Sequence, residues 1–222
     1  MTADVRRRIR SFVRREGRFT PAQQRALDTL WPDYGLHVDN SLQPERIFGR
    51  NAPLILEIGF GNGESLIEMA SSRPDLDFIG IEVHRPGVGR LLLALEAQAL
   101  KNVKVYCADA VEVLEKCIPD ASLQRVNIFF PDPWHKKKHH KRRLIQPAFI
   151  QRLENKIEPG GILHIATDWP DYARHIEETL ALQPAFSPMD PSNITPPRPL
   201  TKYEWRGQRL GHPITDLAYL RR

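Results

Sequence analysis

From about residue 53 the chain alternates short apolar runs with stretches of helical periodicity, and this alternation restricts its fold more than any other feature. LILEI (54–58), DFIGIE (77–82), VKVYC (103–107), RVNIFF (125–130) and GILHIAT (161–167) read as strands buried on both faces. Between them, ESLIEMASS (64–72), GVGRLLLALEAQAL (87–100), AVEVLEKC (110–117) and PAFIQRLENKI (147–157) place apolar residues at helical spacing. Strands alternating with helices predict an α/β fold with a doubly wound, mostly parallel sheet. Ligands of such sheets bind beyond the carboxyl ends of the strands, so the residues just after each strand are the ones to weigh. Residues 1–50 read as a basic N-terminal extension, flexible in part, ahead of one domain over 51–222. PAFSPMDPSNITPPRPL (184–200) is expected to be a long loop, and DLAYLRR (216–222) a last strand.

The 41% hydrophobic content of the 222 residues suits one domain with a sizeable core. No apolar run reaches the roughly 18–20 residues of a membrane span. The Arg-rich start lacks the apolar stretch of a secretory signal, so a cytoplasmic location is expected. Cys107 and Cys117 have no metal-ligand spacing and read as core residues in a reducing compartment. The net charge of +5 is concentrated in RRRIRSFVRREGR (6–18) and HKKKHHKRR (135–143), the pattern of a phosphate-backbone partner. His135, His139 and His140 have no cysteine or carboxylate at a zinc-binding spacing, so no metal is expected.

The first strand carries Glu57 and leads into Gly59-Phe60-Gly61-Asn62-Gly63. Glycines let the backbone approach a ligand closely. A dinucleotide fingerprint would place its third glycine where Glu64 stands, and a carboxylate there repels a pyrophosphate. Acids beside a glycine turn suit instead a nucleoside ligand with a cationic centre, which describes S-adenosylmethionine. Glu82, closing the second strand, is placed to accept from ribose hydroxyls. Asp109, before Ala110 and after the third strand, is placed to reach the adenine amino group. Each acid alone also reads as a surface residue or a helix cap. Their recurrence at successive strand ends is what points to a nucleoside site.

The fourth strand runs into Phe130-Pro131-Asp132-Pro133-Trp134-His135. The two prolines stiffen the segment and hold the Asp132 carboxylate and the Trp134 ring in place. A carboxylate can accept the two N–H groups of a guanine Watson–Crick edge, and an aromatic face can stack a base. The Lys-rich run that follows adjoins this loop, which favours nucleic acid over a merely solvated face.

EIGFGNG (57–63), GIEVHRPGVG (80–89), FFPDPWHKKKHHKRR (129–143), ATDW (166–169), TKYE (201–204) and RSFVRREGRFTPAQQRAL (10–27) together resemble the bacterial tRNA (guanine-N7-)-methyltransferases over nearly the whole chain. The resemblance implies a seven-stranded Rossmann-like methyltransferase fold with two strands after residue 184. It implies S-adenosylmethionine as cofactor, tRNA as partner and guanosine at position 46 of the variable loop as target; apart from the resemblance, a monomer is expected. Carried over by motif, Glu57, Gly59, Gly61, Gly63, Glu82, Asp109, Ala110 and Asp132 hold the cofactor, with Asp132 catalytic. Lys136, Asp168, Thr201, Lys202, Tyr203 and Glu204 contact the substrate, and Lys138, His139, His140, Lys141, Arg142 and Arg143 contact RNA. Tyr203 and Trp205 depart from the family pattern. Asp168 also reads as a cap for a helix starting near Pro170. The alternatives are a methyltransferase of another nucleic-acid position, such as an exocyclic amine, and an RNA-binding protein with a relic cofactor pocket. A nicotinamide dehydrogenase is disfavoured by Glu64.

Overall fold

The computed structural model describes residues 10–12, 18–39, 41–199, 204 and 213–222. The apolar runs become β2 (Leu54–Ile58), β3 (Asp77–Ile81), β4 (Val103–Tyr106), β5 (Leu123–Phe129) and β6 (Ile157–Thr167). They lie in one sheet with β1 (Gly35–Leu36), β7 (Phe186–Met189) and β8 (Thr215–Arg221), in the order β1-β4-β3-β2-β5-β6-β8-β7. Pairing is parallel from β1 to β6 and antiparallel where β8 meets β6 and β7.

Alternating side chains feed two cores. On one face Leu56, Ile58, Ile79, Val126, Ile128 and Ile165 pack with α6 (Ala110–Lys116), α7 (Pro147–Lys156) and α8 (Pro170–Ala181). On the other, Ile55, Phe78, Val103 and Val105 pack with α1 (Pro21–Thr29), α4 (Glu64–Ser72) and α5 (Arg85–Ala97). Both faces being covered explains why the strands read as continuous apolar runs.

The sheet has eight strands among the described residues rather than seven. The extra one, β1, is two residues long at the sheet edge, too short to leave a periodic signal. Residues 184–200 are not a plain loop, since they contain β7 and a 3-10 turn at Pro191–Asn193. Pro188 sits in β7 because that strand ends the sheet and needs no second ladder of N–H donors. The extension is also less separate than its composition suggests. Thr20 and Gln23 form a reciprocal capping box that starts α1. Ala26 of α1 is fully buried, and a Cβ on Gly89 of α5 would come within 2.9 Å of the Gln23 carbonyl oxygen. α1 therefore docks on α5 through glycine. Two further short helices, α2 (Trp31–Tyr34) and α3 (Pro44–Phe48), carry the chain on to β2.

Candidate active site at the sheet switch point

β2 is followed in one direction by β3 and β4, and β5 returns to its other side. At this switch the loops after β2 and β5 diverge and leave a crevice. A cleft of about 320 Å³ lies there, walled by Gly59, Glu82, Ala108, Ala110, Phe130 and Asp132, with Ser11 and Phe12 also on its surface.

The glycine turn shapes one wall. Gly59 and Gly61 have φ of 77° and 59°, and a Cβ on either would meet nothing within 4 Å, so the turn faces open space. A Cβ on Gly87, by contrast, would lie 2.1 Å from the Gly61 carbonyl oxygen, so α5 can press on the turn only because Gly87 has no side chain. The Glu82 carboxylate pins the same turn by accepting N–H bonds from Gly61 (2.9 Å), Val83 (2.6 Å) and His84 (2.8 Å). With about four lone-pair sites on a carboxylate, one remains for a ligand hydroxyl, and a second would have to share. Asp109 is the N-cap of α6 and accepts from the Val111 N–H at 3.0 Å. Its carboxylate thus has the capping role, while its neighbours Ala108 and Ala110 line the cleft.

Glu57 is not on the cleft wall. Strand alternation turns it to the opposite face of the sheet from Ile58, where it is 3% exposed. Burial pushes its carboxyl up to about 8, although Ser65 and Arg125 nearby pull the other way. Burial likewise lowers the Arg125 guanidinium to about 10. Ser65 is close enough to act on the Glu57 carboxyl as a hydrogen-bonding neighbour but not in good bonding geometry, and Glu57 Oε2, Arg125 Nε and Asn127 Oδ1 are buried without well-formed hydrogen bonds among the described residues. So many poorly bonded atoms in one interior are unusual, and they suit water or the polar end of a ligand entering there.

The loop after β5 is sharply bent, with Phe130 and Trp134 at φ of 52° and 49°. Asp132 stands exposed on the rim. Trp134 is not the open stacking platform expected for it. Its indole N–H donates to the Ser11 carbonyl at 3.1 Å, and the Arg142 guanidinium lies 5.1 Å from its ring centre. The loop's aromatic body is thereby spent on fixing the loop.

Beyond it, Lys137–Arg142 forms a 3-10 helix. Lys136, Lys137, Lys138 and Lys141 are exposed, and His139, His140 and Arg142 are half-buried. Arg143, expected among the RNA contacts, is turned inward instead. It donates to the Pro133 carbonyl (2.9 Å) and to Asp171 (2.5 Å), and covers the Tyr172 ring at 4.8 Å. With a side chain only 2% exposed, it anchors the basic loop and cannot meet a phosphate. Asp168 is exposed and does not cap α8, whose N-cap is Trp169 without a side-chain bond. Thr201, Lys202 and Tyr203 lie outside the described residues. Glu204 is buried, and both its oxygens accept from Arg198 at 2.5 Å. Its carboxylate is therefore engaged within the protein rather than offered to a base. Gly87, Arg198 and Asp216 were missed in the sequence, which holds no local signal for a partner that only the fold supplies. Among the described residues no group of three or more His, Cys, Asp or Glu is placed to hold a metal.

A doubly wound sheet with a glycine turn and acids at its switch point defines a nucleoside-cofactor transferase of the methyltransferase class. A family model described as "Putative methyltransferase" matches residues 51–217. Among solved structures, the aminoglycoside resistance methyltransferase NpmB1 superposes with a TM-score of 0.54 at 14% identity, covering 82% of this chain and 95% of that one. At that identity the likeness concerns the fold. Sequence relatives carry it further. The tRNA (guanine-N(7)-)-methyltransferase of Alcanivorax borkumensis is 57% identical over 100% of this chain and 95% of its own length. That of Alkalilimnicola ehrlichii is 55% identical over 99% and 95%. The chain belongs to the tRNA (guanine-N7-)-methyltransferase family.

Proposed function

We propose that this chain methylates N7 of guanosine 46 in the variable loop of tRNA, using S-adenosylmethionine, as a cytoplasmic monomer. The class of reaction follows from the family. The observation that carries the site reading is the single cleft in which Gly59, Glu82 and Asp132 meet, bordered by the exposed lysines 136–138 and 141. The residues present fit the cofactor. The open glycine turn admits a nucleoside edge, Glu82 retains an acceptor site, and the poorly bonded polar atoms around Glu57 suit a charged amino-acid end. Among the described residues no helix is long and apolar enough to cross a membrane.

When bound, S-adenosylmethionine supplies an electrophilic methyl group on a sulfonium. Guanine N7 has a free lone pair and no proton, so no base is needed to prepare it. The protein's task is alignment, which contributes on the order of 7–11 kcal/mol in well-oriented reactions. Methylation makes the purine cationic and its N1–H more acidic. We assign Asp132 to that edge, where a fixed carboxylate favours the developing charge. Asp168 is a second candidate for the base edge, and Lys136 to Lys138 with Lys141 are assigned to phosphates. Asp132→Ala is expected to lower turnover about 100-fold or more, a typical loss for one preorganised group, with cofactor binding still measurable. Near-normal turnover in that variant removes Asp132 from the mechanism. The decisive test of the whole reading is transfer of labelled methyl to unmodified tRNA with nucleoside mapping. The product expected is 7-methylguanosine at position 46, and methylation of an exocyclic amine overturns the assignment.

A further inference from the structure

The guanidinium that engages Glu204 also packs against an aromatic residue of the cleft wall. Arg198 leaves the proline-rich segment, and its side chain is 6% exposed. Nε and Nη2 donate to Asp216 of β8 at 2.8 and 2.9 Å. Nη1 and Nη2 donate to Glu204 at 2.5 Å each, and Nη1 also reaches the Pro199 carbonyl at 3.5 Å. All the donors an arginine has are thus engaged. The guanidinium also lies 5.6 Å from the Phe129 ring centre and 5.4 Å from that of Phe130. Phe130 lines the cleft two residues before Asp132 and holds a left-handed φ of 52°, a conformation a bulky residue keeps only when its surroundings enforce it.

Resting on the methyltransferase reading, we propose that Arg198 is a positioning residue for methyl transfer, joining the Asp132 loop through Phe130 to Glu204 and to Asp216 of β8 so that they move as one body. The charges agree with a locked cluster. Burial alone would raise the Asp216 carboxyl, but the bonds from His164 and Arg198 hold it well below its usual range. Lysine cannot replace this geometry, because a point charge neither bridges two carboxylates bidentately nor stacks on two rings.

The test compares Arg198→Lys and Asp216→Asn with the unaltered chain, reading melting temperature, S-adenosylmethionine Kd, and single-turnover rate and KM on unmodified tRNA. All kinetics are run well below each melting temperature. Folded Arg198→Lys should keep Kd and KM within about 3-fold and lose roughly 30- to 100-fold in rate, about 2–3 kcal/mol by the tenfold-per-1.4 relation. Asp216→Asn, which loosens one anchor, should lose roughly 3- to 10-fold in rate. If Arg198→Lys does not fold, Asp216→Asn decides alone. Unchanged single-turnover rates, or a loss confined to Kd or KM, overturn the proposal. An unaltered chain that does not methylate tRNA overturns the underlying reading as well, so the two failures are distinguishable.

Discussion

The two sides of the cleft are built by different physics. On the cofactor side, backbone geometry does the shaping: positive φ at Gly59 and Gly61, the side-chain-free contact of Gly87 with the Gly61 carbonyl, and the N–H bonds into Glu82. On the substrate side, arginines clamp distant carboxylates: Arg143 on Asp171, and Arg198 on Glu204 and Asp216. The first construction tolerates no added atom at Gly87 and depends on one carboxylate, Glu82, that only backbone N–H groups meet. The second tolerates changes of volume but not loss of a donor. A rigid nucleoside pocket beside an ion-clamped loop region suits an enzyme that holds a small cofactor and meets a large polyanion.

The largest effect that would break this contrast belongs to Gly87. A methyl group there must displace the Gly61 carbonyl backbone, so Gly87→Ala should weaken cofactor binding by at least about 100-fold, several kcal/mol of overpacking passed to the turn. Binding within a few-fold by calorimetry would show that the turn is softer than its contacts imply. The next effect separates outward from inward basic residues. Replacing Lys137, Lys138 and Lys141 by Ala should reduce the steepness of tRNA binding against log salt by roughly 2–3, from the counterion released per neutralised phosphate. Arg143→Ala should leave that slope unchanged but remove about 2–3 kcal/mol of stability, seen as a lower melting temperature. A flattened slope in Arg143→Ala would return that residue to the RNA surface.

A separate, pH-dependent effect concerns Glu57. Its carboxyl in the folded chain titrates near 8, above its ordinary value, so the folded state holds the extra proton between about 4.5 and 8. Stability should therefore fall as pH rises through that window, by at most about 1.4 kcal/mol per unit, and level off above it. Glu57→Gln, which cannot ionise, should lack that slope relative to the unaltered chain in denaturant titrations at pH 5, 6.5 and 8. Identical slopes would mean that Glu57 is already ionised when buried. Cofactor binding sharpens the point: a cationic ligand near Glu57 should expel its proton, which calorimetry in buffers of different ionisation enthalpy detects.

The sequence by itself determined the elements whose signals are local. Five apolar runs became β2 to β6, the glycine turn and Glu82 came to one cleft, and Asp132 reached its rim, because periodicity and glycine placement act over a few residues. Motif resemblance extended this to the family. The inward turn of Glu57, the capping role of Asp109, the spent ring of Trp134 and the burial of Arg143 and Glu204 were decided only by the tertiary structure. An exposed and a buried arginine look identical in a basic run, and a carboxylate's partner 18 or 28 residues away leaves no local trace. Charge pairing is set by where the sheet brings side chains together, and the cost of leaving a buried charge without its partner then holds the chosen pairs.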